Sequence, residues 1–363
     1  MPLKTTAGNH GELVKGRGAT SNPEGRFETW QRDSDDDGWF QDPGDEPSKP
    51  KTVISIEHAK SVISRHNSPD VGLAQSINPY RGCSNGCSYC FSRPSHGYLG
   101  LSPGLDFETR LFAKVNAAER LREEISKPGY RCQVLTIGVN TDAYQTIERD
   151  YKITRSILEV AYETNHPVSL ITKCALIERD LDILAPMAAK RLAEVTFSIT
   201  TLDHEISRRM EPRTSAPARR LEAVRRLSQA GIPVSVNVAP VIPFLTDSEL
   251  EPILEAAAKA GATGAAYILV RLPWEVRPIF KEWLEKHFPL KAEHVMSRIR
   301  EMRDGRENDP EFHSRMVGKG TLADLLSQRF QKAIKRFGLD MLAHDLDTSL
   351  FRPPSPAGQK SLF

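Results

Sequence analysis

Six short apolar runs alternate with amphipathic stretches between Ser76 and Arg271, and that alternation leaves few folds open to the chain. The runs are Ser76–Pro79, Val134–Val139, Val168–Ile171, Val195–Ile199, Val234–Val238 and Ala265–Val270. Between them, apolar residues recur at three and four positions in Phe112–Ile125, Ile153–Thr164, Asp180–Lys190, Pro217–Ala230 and Ser248–Ala260, the spacing of helices with one buried face. Gly231 and Gly261 stop two of these helices, and Pro233 leads into the next strand. Six β-then-α units at roughly thirty-residue spacing require a parallel sheet with right-handed crossovers.

An open doubly wound sheet and a barrel both satisfy this pattern. Polar residues after the strands favour the barrel, where chemistry collects on the loops that follow the strands. They are Asn140-Thr141-Asp142, Thr172-Lys173-Cys174, Thr200-Thr201 with Asp203, and Arg271. Capping of the following helices is the competing explanation for the Thr, Asn and Asp residues. The predicted fold class is α/β: a partial (β/α)6 TIM-type barrel over 70–275 with a helical C-terminal extension and a disordered N-terminal tail. The extension covers 276–345, with helices at Trp274–Phe288, Glu293–Arg303 and Thr321–Phe337, and 346–363 forms a flexible, Pro-rich tail.

Residues 1–55 are acidic and rich in Gly and Pro, and are expected to be disordered or loosely draped over the domain. Within them, Asp33-Ser34-Asp35-Asp36-Asp37-Gly38 copies the start of a calcium loop, but Gly44 stands where the bidentate Glu belongs, so an acidic linker is the better reading. No run of 18 apolar residues and no signal-peptide core is present, which predicts a cytoplasmic protein with no membrane contact. A net charge of +2 excludes a globally basic nucleic-acid binder. Arg208, Arg209, Arg213, Arg219, Arg220, Arg225 and Arg226 could still form a local phosphate-facing surface, or a solvated face laced with ion pairs.

The most specific motif is Arg81-Gly82-Cys83-Ser84-Asn85-Gly86-Cys87-Ser88-Tyr89-Cys90, directly after the first strand. Three thiolates at C-x3-C-x2-C spacing form a soft ligand set for iron–sulfur or zinc, and three of the five cysteines within eight positions do not suit a disulfide framework. Three ligands on a cubane leave one iron open, which is what chemistry on a substrate requires. Zinc would recruit His96 to close a four-ligand site.

With Tyr89 before the last cysteine and the loop at the head of a six-unit βα array, the chain resembles the radical S-adenosylmethionine superfamily. Ile77-Asn78-Pro79-Tyr80-Arg81-Gly82-Cys83, the segment Gly138–Gln145 and Glu148-Arg149 resemble its spore photoproduct lyase-like, DNA repair photolyase-type branch. The resemblance spans residues 70–275. It implies a [4Fe-4S] cluster on Cys83, Cys87 and Cys90, with the fourth iron chelated by S-adenosylmethionine. Asn140, Thr141 and Asp142 stand where the superfamily has a Gly-Gly-Glu-like strand end that holds the methionyl amino group, although the residues differ. Lys173, with Ser198 or Thr200, would lie near the carboxylate and ribose, and Tyr89 near the adenine.

The resemblance further implies one-electron cleavage of the sulfonium to a 5′-deoxyadenosyl radical, fed by a low-potential flavodoxin- or ferredoxin-like donor. Cys174 and Tyr98 are candidate hydrogen-atom donors or radical relays; packing is the alternative for each. Three functional readings follow: a lyase or repair enzyme acting on modified or crosslinked nucleic-acid bases, a radical enzyme acting on a small molecule or peptide, and a non-catalytic metal-binding interaction protein.

Overall fold

The computed structural model describes residues 15–27, 51–341 and 345–354. Six parallel strands form its centre: β1 Gln75–Ile77, β2 Leu135–Ile137, β3 Val168–Thr172, β4 Ala193–Ser198, β5 Val234–Val241 and β6 Gly264–Leu269. They pair in sequence order, and Ser64–Arg65 adds an antiparallel edge to β1. Among the described residues β1 and β6 do not pair, so the sheet is an open arc, the partial barrel expected from sequence. The register Gln75↔Leu135, Leu135↔Val168, Val168↔Ala193 and Val195↔Val234 keeps neighbouring strands in step. Their C-terminal ends therefore share one rim.

Helices α1 Ala117–Ile125, α2 Ile153–Glu163, α3 Leu181–Ala188, α4 Pro217–Gln229 and α5 Leu250–Lys259 cross between successive strands. β5 shows how sheet and helices meet. Val234, Val236 and Val238 are buried on one face, whereas Ser235 and Asn237 alternate onto the other. α2 answers from its own side with Ile153, Ile157, Leu158 and Ala161 buried on one stripe, each large side chain contributing roughly 1.5–3 kcal/mol on burial. Beyond β6 come α6 Val276–His287, α7 Pro289–Glu301 and α8 Thr321–Phe337, and α8 packs on α5 where a sixth crossover helix would lie.

Two local expectations need correction. Phe112–Ile125 is not one helix: Arg110–Lys114 is a strand with Leu111 and Ala113 buried, and only α1 follows it. That strand is the centre of a small second sheet, parallel to Val53–Glu57 and antiparallel to Tyr80–Arg81. The tails are also not uniformly loose. Residues 15–27 pack on the domain, with Arg17, Ala19 and Thr20 buried. In the C-terminal tail, Phe351 stands edge-on to His166 at 5.1 Å, and its neighbour Arg352 donates its N–H to Thr164 O at 2.9 Å. The acidic calcium-like segment 33–44 lies outside the described residues. No described helix is long and apolar enough to cross a membrane.

Candidate radical S-adenosylmethionine site

The cysteine loop sits on the rim directly after β1, gripped by the loop that follows β2. Asn78 Oδ1 accepts the N–H of Asn140 at 2.8 Å, and the Tyr80 hydroxyl donates to Glu148. Gln145 brackets the first cysteine, donating to Gly82 O at 3.2 Å and accepting Ser84 N–H at 2.8 Å. Asn85 Nδ2 donates to Asp142 at 3.0 Å. The two segments that carry the family resemblance thus hold each other. Gly86 turns the loop between Cys83 and Cys87 with φ +66°, a conformation that L side chains rarely adopt.

All three cysteines of the loop are free thiols, and Cys83 and Cys87 are buried. Burial pushes Cys83 up to about 12, with Asp142 and Cys90 adding to the rise. Burial raises Cys87 as well, and Lys173 acts against it. Among the described residues no three His, Cys, Asp or Glu converge on a single-ion site. His96 is buried behind the loop, its Nε2 2.9 Å from Arg110 O and its ring edge-on to Phe107. With Nε2 taken by Arg110 O, the unpartnered Nδ1 of His96 joins no group of cysteines that would hold a single ion among the described residues, so a closed zinc site with His96 does not form there. Three thiols on one turning loop, with Cys90 close enough to raise both Cys83 and Cys87, fit a larger polynuclear group.

Around the rim the expected cofactor residues divide into two sets. Asp142 is a structural knot: Oδ1 accepts Thr172 Oγ1 at 2.7 Å and Tyr144 N–H at 2.9 Å, and Oδ2 accepts Lys173 N–H at 2.8 Å. Thr141 spends its hydroxyl on Tyr80 O at 3.0 Å, and Asn140 is exposed. The second set has capacity to spare. The buried Thr200 Oγ1 just past β4 has no hydrogen-bond partner among the described residues, and neither has Asn237 Oδ1 on β5, a residue the sequence reading did not assign to the cofactor. Buried polar atoms of this kind are rare without a ligand or water, and they suit the hydroxyl-rich end of a nucleoside cofactor. Ser198, buried beside them, uses its carbonyl to accept Arg220 Nη1 at 2.9 Å.

Lys173 lies 6.0 Å from the Tyr89 ring centre. Burial works against its charge, but Cys87 and Glu211 outweigh it and raise its pKa. Tyr89 donates its hydroxyl to Glu211, which also accepts Arg220, so a buried Arg–Glu–Tyr chain supports the cysteine loop from the β4 side. Met210 O adds a bond from Ser88 N–H at 3.1 Å. Sequence reading missed Glu211 and took Arg220 for a surface residue.

Cys174 is buried in the site, its Sγ 3.5 Å from Asn85 Nδ2 and 3.7 Å from Asp142. Tyr98 is not in the site. The short helix Arg93–Leu99 turns Arg93 and His96 inward and leaves the Tyr98 ring 71% exposed, 4.9 Å from Phe27. The arginine run is largely spent on ion pairs: Arg208 with Glu205, Arg219 and Arg226 with Glu178, Arg225 with Glu222. Asp203 caps the helix His204–Met210, accepting Glu205 N–H at 2.7 Å.

The sequence pattern of the Radical SAM superfamily matches residues 77–257. An uncharacterized protein of Mycobacterium tuberculosis is 37% identical over 246 residues, covering 67% of this chain and 71% of that protein. One of Methanocaldococcus jannaschii is 28% identical over 202 residues, covering 54% and 70%. Among solved structures, spore photoproduct lyase complexed with dinucleoside spore photoproduct superposes with a TM-score of 0.54 at 16% identity, covering 79% of this chain and 81% of that one. A mutant of that lyase with bound AdoMet and the same dinucleoside gives a TM-score of 0.53 at 17% identity, which is likeness of fold. The matched span runs from β1 through the cysteine loop to α5, and the chain belongs to the radical SAM superfamily of enzymes, which use a [4Fe-4S] cluster and S-adenosylmethionine.

Proposed function

We propose that Cys83, Cys87 and Cys90 hold three irons of a [4Fe-4S] cluster and that S-adenosylmethionine completes the fourth. The observation that carries this reading is the union, on one rim, of a buried three-thiol loop with the unpartnered Thr200 Oγ1 and Asn237 Oδ1. Thr200 and Ser198 would take the ribose, Lys173 would offset the carboxylate, and Tyr89 would flank the adenine. Asn140, Thr141 and Asp142 would meet the methionyl amino group chiefly through backbone, since the side chains of Thr141 and Asp142 are committed. Bound there, the pair supplies one-electron reductive cleavage of the sulfonium and abstraction of a substrate hydrogen. The chain's own residues would orient the cofactor and keep water out, and the buried Cys174 would return a hydrogen atom. The electron comes from a low-potential flavodoxin- or ferredoxin-like donor.

The substrate reading is a modified or crosslinked nucleic-acid base, supported by likeness of fold to a lyase solved with a dinucleoside photoproduct. The ion pairing of the arginine run favours a second reading, a small molecule or peptide. The test is anaerobic: reconstitute with iron and sulfide, reduce with dithionite, add S-adenosylmethionine and assay 5′-deoxyadenosine, with Cys87→Ala alongside. Product from the native chain and none from the variant is expected; no product from a fully loaded cluster overturns the reading. Binding to ultraviolet-irradiated DNA that weakens steeply with salt separates the first substrate class from the second.

A further inference from the structure

Residues 16–22 belong to a segment whose composition marks it as tail, yet they close over the cysteine loop. Gly18 N–H donates to Glu108 Oε2 at 3.1 Å, and Ala19 N–H to Oε1 at 2.8 Å. The same Oε1 accepts Arg93 Nη2 at 2.5 Å, and Arg93 Nε donates to the Cys87 carbonyl at 2.9 Å. Glu108 therefore connects the tail to the backbone of a cysteine through one guanidinium. The tail also touches the loop directly: a Cβ on Gly18 would stand 1.7 Å from Gly86 O, an approach that only glycine permits. Arg213 makes a third tie, its N–H 3.4 Å from Asn85 O and its Nε 3.1 Å from Gly16 O.

Gly18 touches the loop itself, and Glu108 through Arg93 and Arg213 directly tie the segment to it, while Arg17, Ser21 and Asn22 anchor the segment's remainder on Thr52, Glu282 and Asp106. We propose that residues 16–22 are a clasp on the cysteine loop, with Glu108 a positioning residue that acts on Cys87 through Arg93. Opening of the clasp, and not of the barrel, then controls how the three thiols exchange with solvent. What the clasp protects rests on the reading that these thiols hold the cluster; that the segment grips the loop's backbone does not.

The test uses the full chain with Gly18→Val and Glu108→Gln. In the metal-free protein, alkylation by iodoacetamide is mapped by mass spectrometry, with Cys132, at the opposite end of β2, as the internal reference. Gly18→Val should raise the ratio of Cys87 to Cys132 alkylation by about tenfold or more, because local opening exposes only what the opened segment covers. Glu108→Gln, which keeps an acceptor but removes the negative charge facing Arg93, should raise it less. In reconstituted protein, iron transfer to a ferrous chelator should accelerate in the same order. An unchanged ratio, or equal acceleration at Cys132, overturns the clasp. A native chain that retains no iron would instead sink the cluster assignment, and the alkylation ratio would still decide the clasp.

Discussion

Two buried Arg–Glu pairs flank the cysteine loop, and they are built from the same groups to different ends. Arg93 meets Glu108 on the tail side, and its other donors go to backbone: Cys87 O, Pro103 O at 3.1 Å and Gly104 O at 2.9 Å. Glu108 in turn accepts two backbone N–H groups. Arg220 meets Glu211 on the β4 side, but that carboxylate also accepts the Tyr89 hydroxyl, and Lys173 and the unpartnered Thr200 lie on the same rim. The first pair is fully bonded within the protein. The second faces groups whose charge or bonding a ligand would change. A buried ion pair is weak proof of stability, so the pairs are told apart by what surrounds them.

The largest effect comes from breaking either pair. Arg93→Ala and Arg220→Ala each strand a buried carboxylate, and each should cost about 3–5 kcal/mol in denaturant unfolding of the metal-free chain. Function should divide them. Glu211→Gln, which spares the shape, should weaken S-adenosylmethionine binding about tenfold in equilibrium dialysis, whereas Glu108→Gln should leave it within about twofold. Equal losses would erase the distinction.

The β4-side pair can be examined further by pH. Burial opposes ionisation of Glu211, yet Arg220, Lys173 and the Tyr89 hydroxyl together hold its carboxyl below the ordinary 4.5. A folded value below the unfolded one means that the stabilisation is complete above pH 4.5 and is lost as pH falls through the folded value. Below pH 4.5 the native chain should therefore lose unfolding free energy more steeply than Glu211→Gln. Parallel curves would show that the charge on Glu211 does not stabilise the loop.

The six strands and the cysteine loop were legible because period-two and helical patterns are local, and because three thiols at fixed spacing have few uses. The sheet of Val53–Glu57, Arg110–Lys114 and Tyr80–Arg81 was not, since it joins segments far apart in sequence through strands of five residues or fewer. Charged residues misled in a different way. Arg219, Arg225 and Arg226 are surface ion pairs, and Arg220 looks like one more. Helical spacing held the signal, because Arg220 falls on the face of Ala223, Val224 and Leu227, all buried. Glu211 and Glu108 carried no comparable mark: each is an acid whose burial depends on a partner that the fold supplies. Tyr98 failed because a 3-10 helix sends it outward while Arg93 and His96 turn in.

The smallest expected effect has two signs. Thr200 Oγ1 is buried without a partner, a cost of about 1–3 kcal/mol for a group that water would otherwise satisfy. Thr200→Val keeps the shape and removes that cost, so the metal-free chain should be unchanged or more stable by about 1 kcal/mol. In the reconstituted protein the same change should weaken S-adenosylmethionine binding by up to about tenfold, if the proposed ligand loses the Thr200 hydroxyl as a partner. Thr172→Val is the control, since that hydroxyl donates to Asp142 at 2.7 Å and accepts Cys174 N–H at 2.9 Å. It should destabilise the metal-free chain by about 1 kcal/mol or more. If Thr200→Val lowers metal-free stability as Thr172→Val does, the hydroxyl is part of the scaffold and the β4 side loses its claim to an open ligand position.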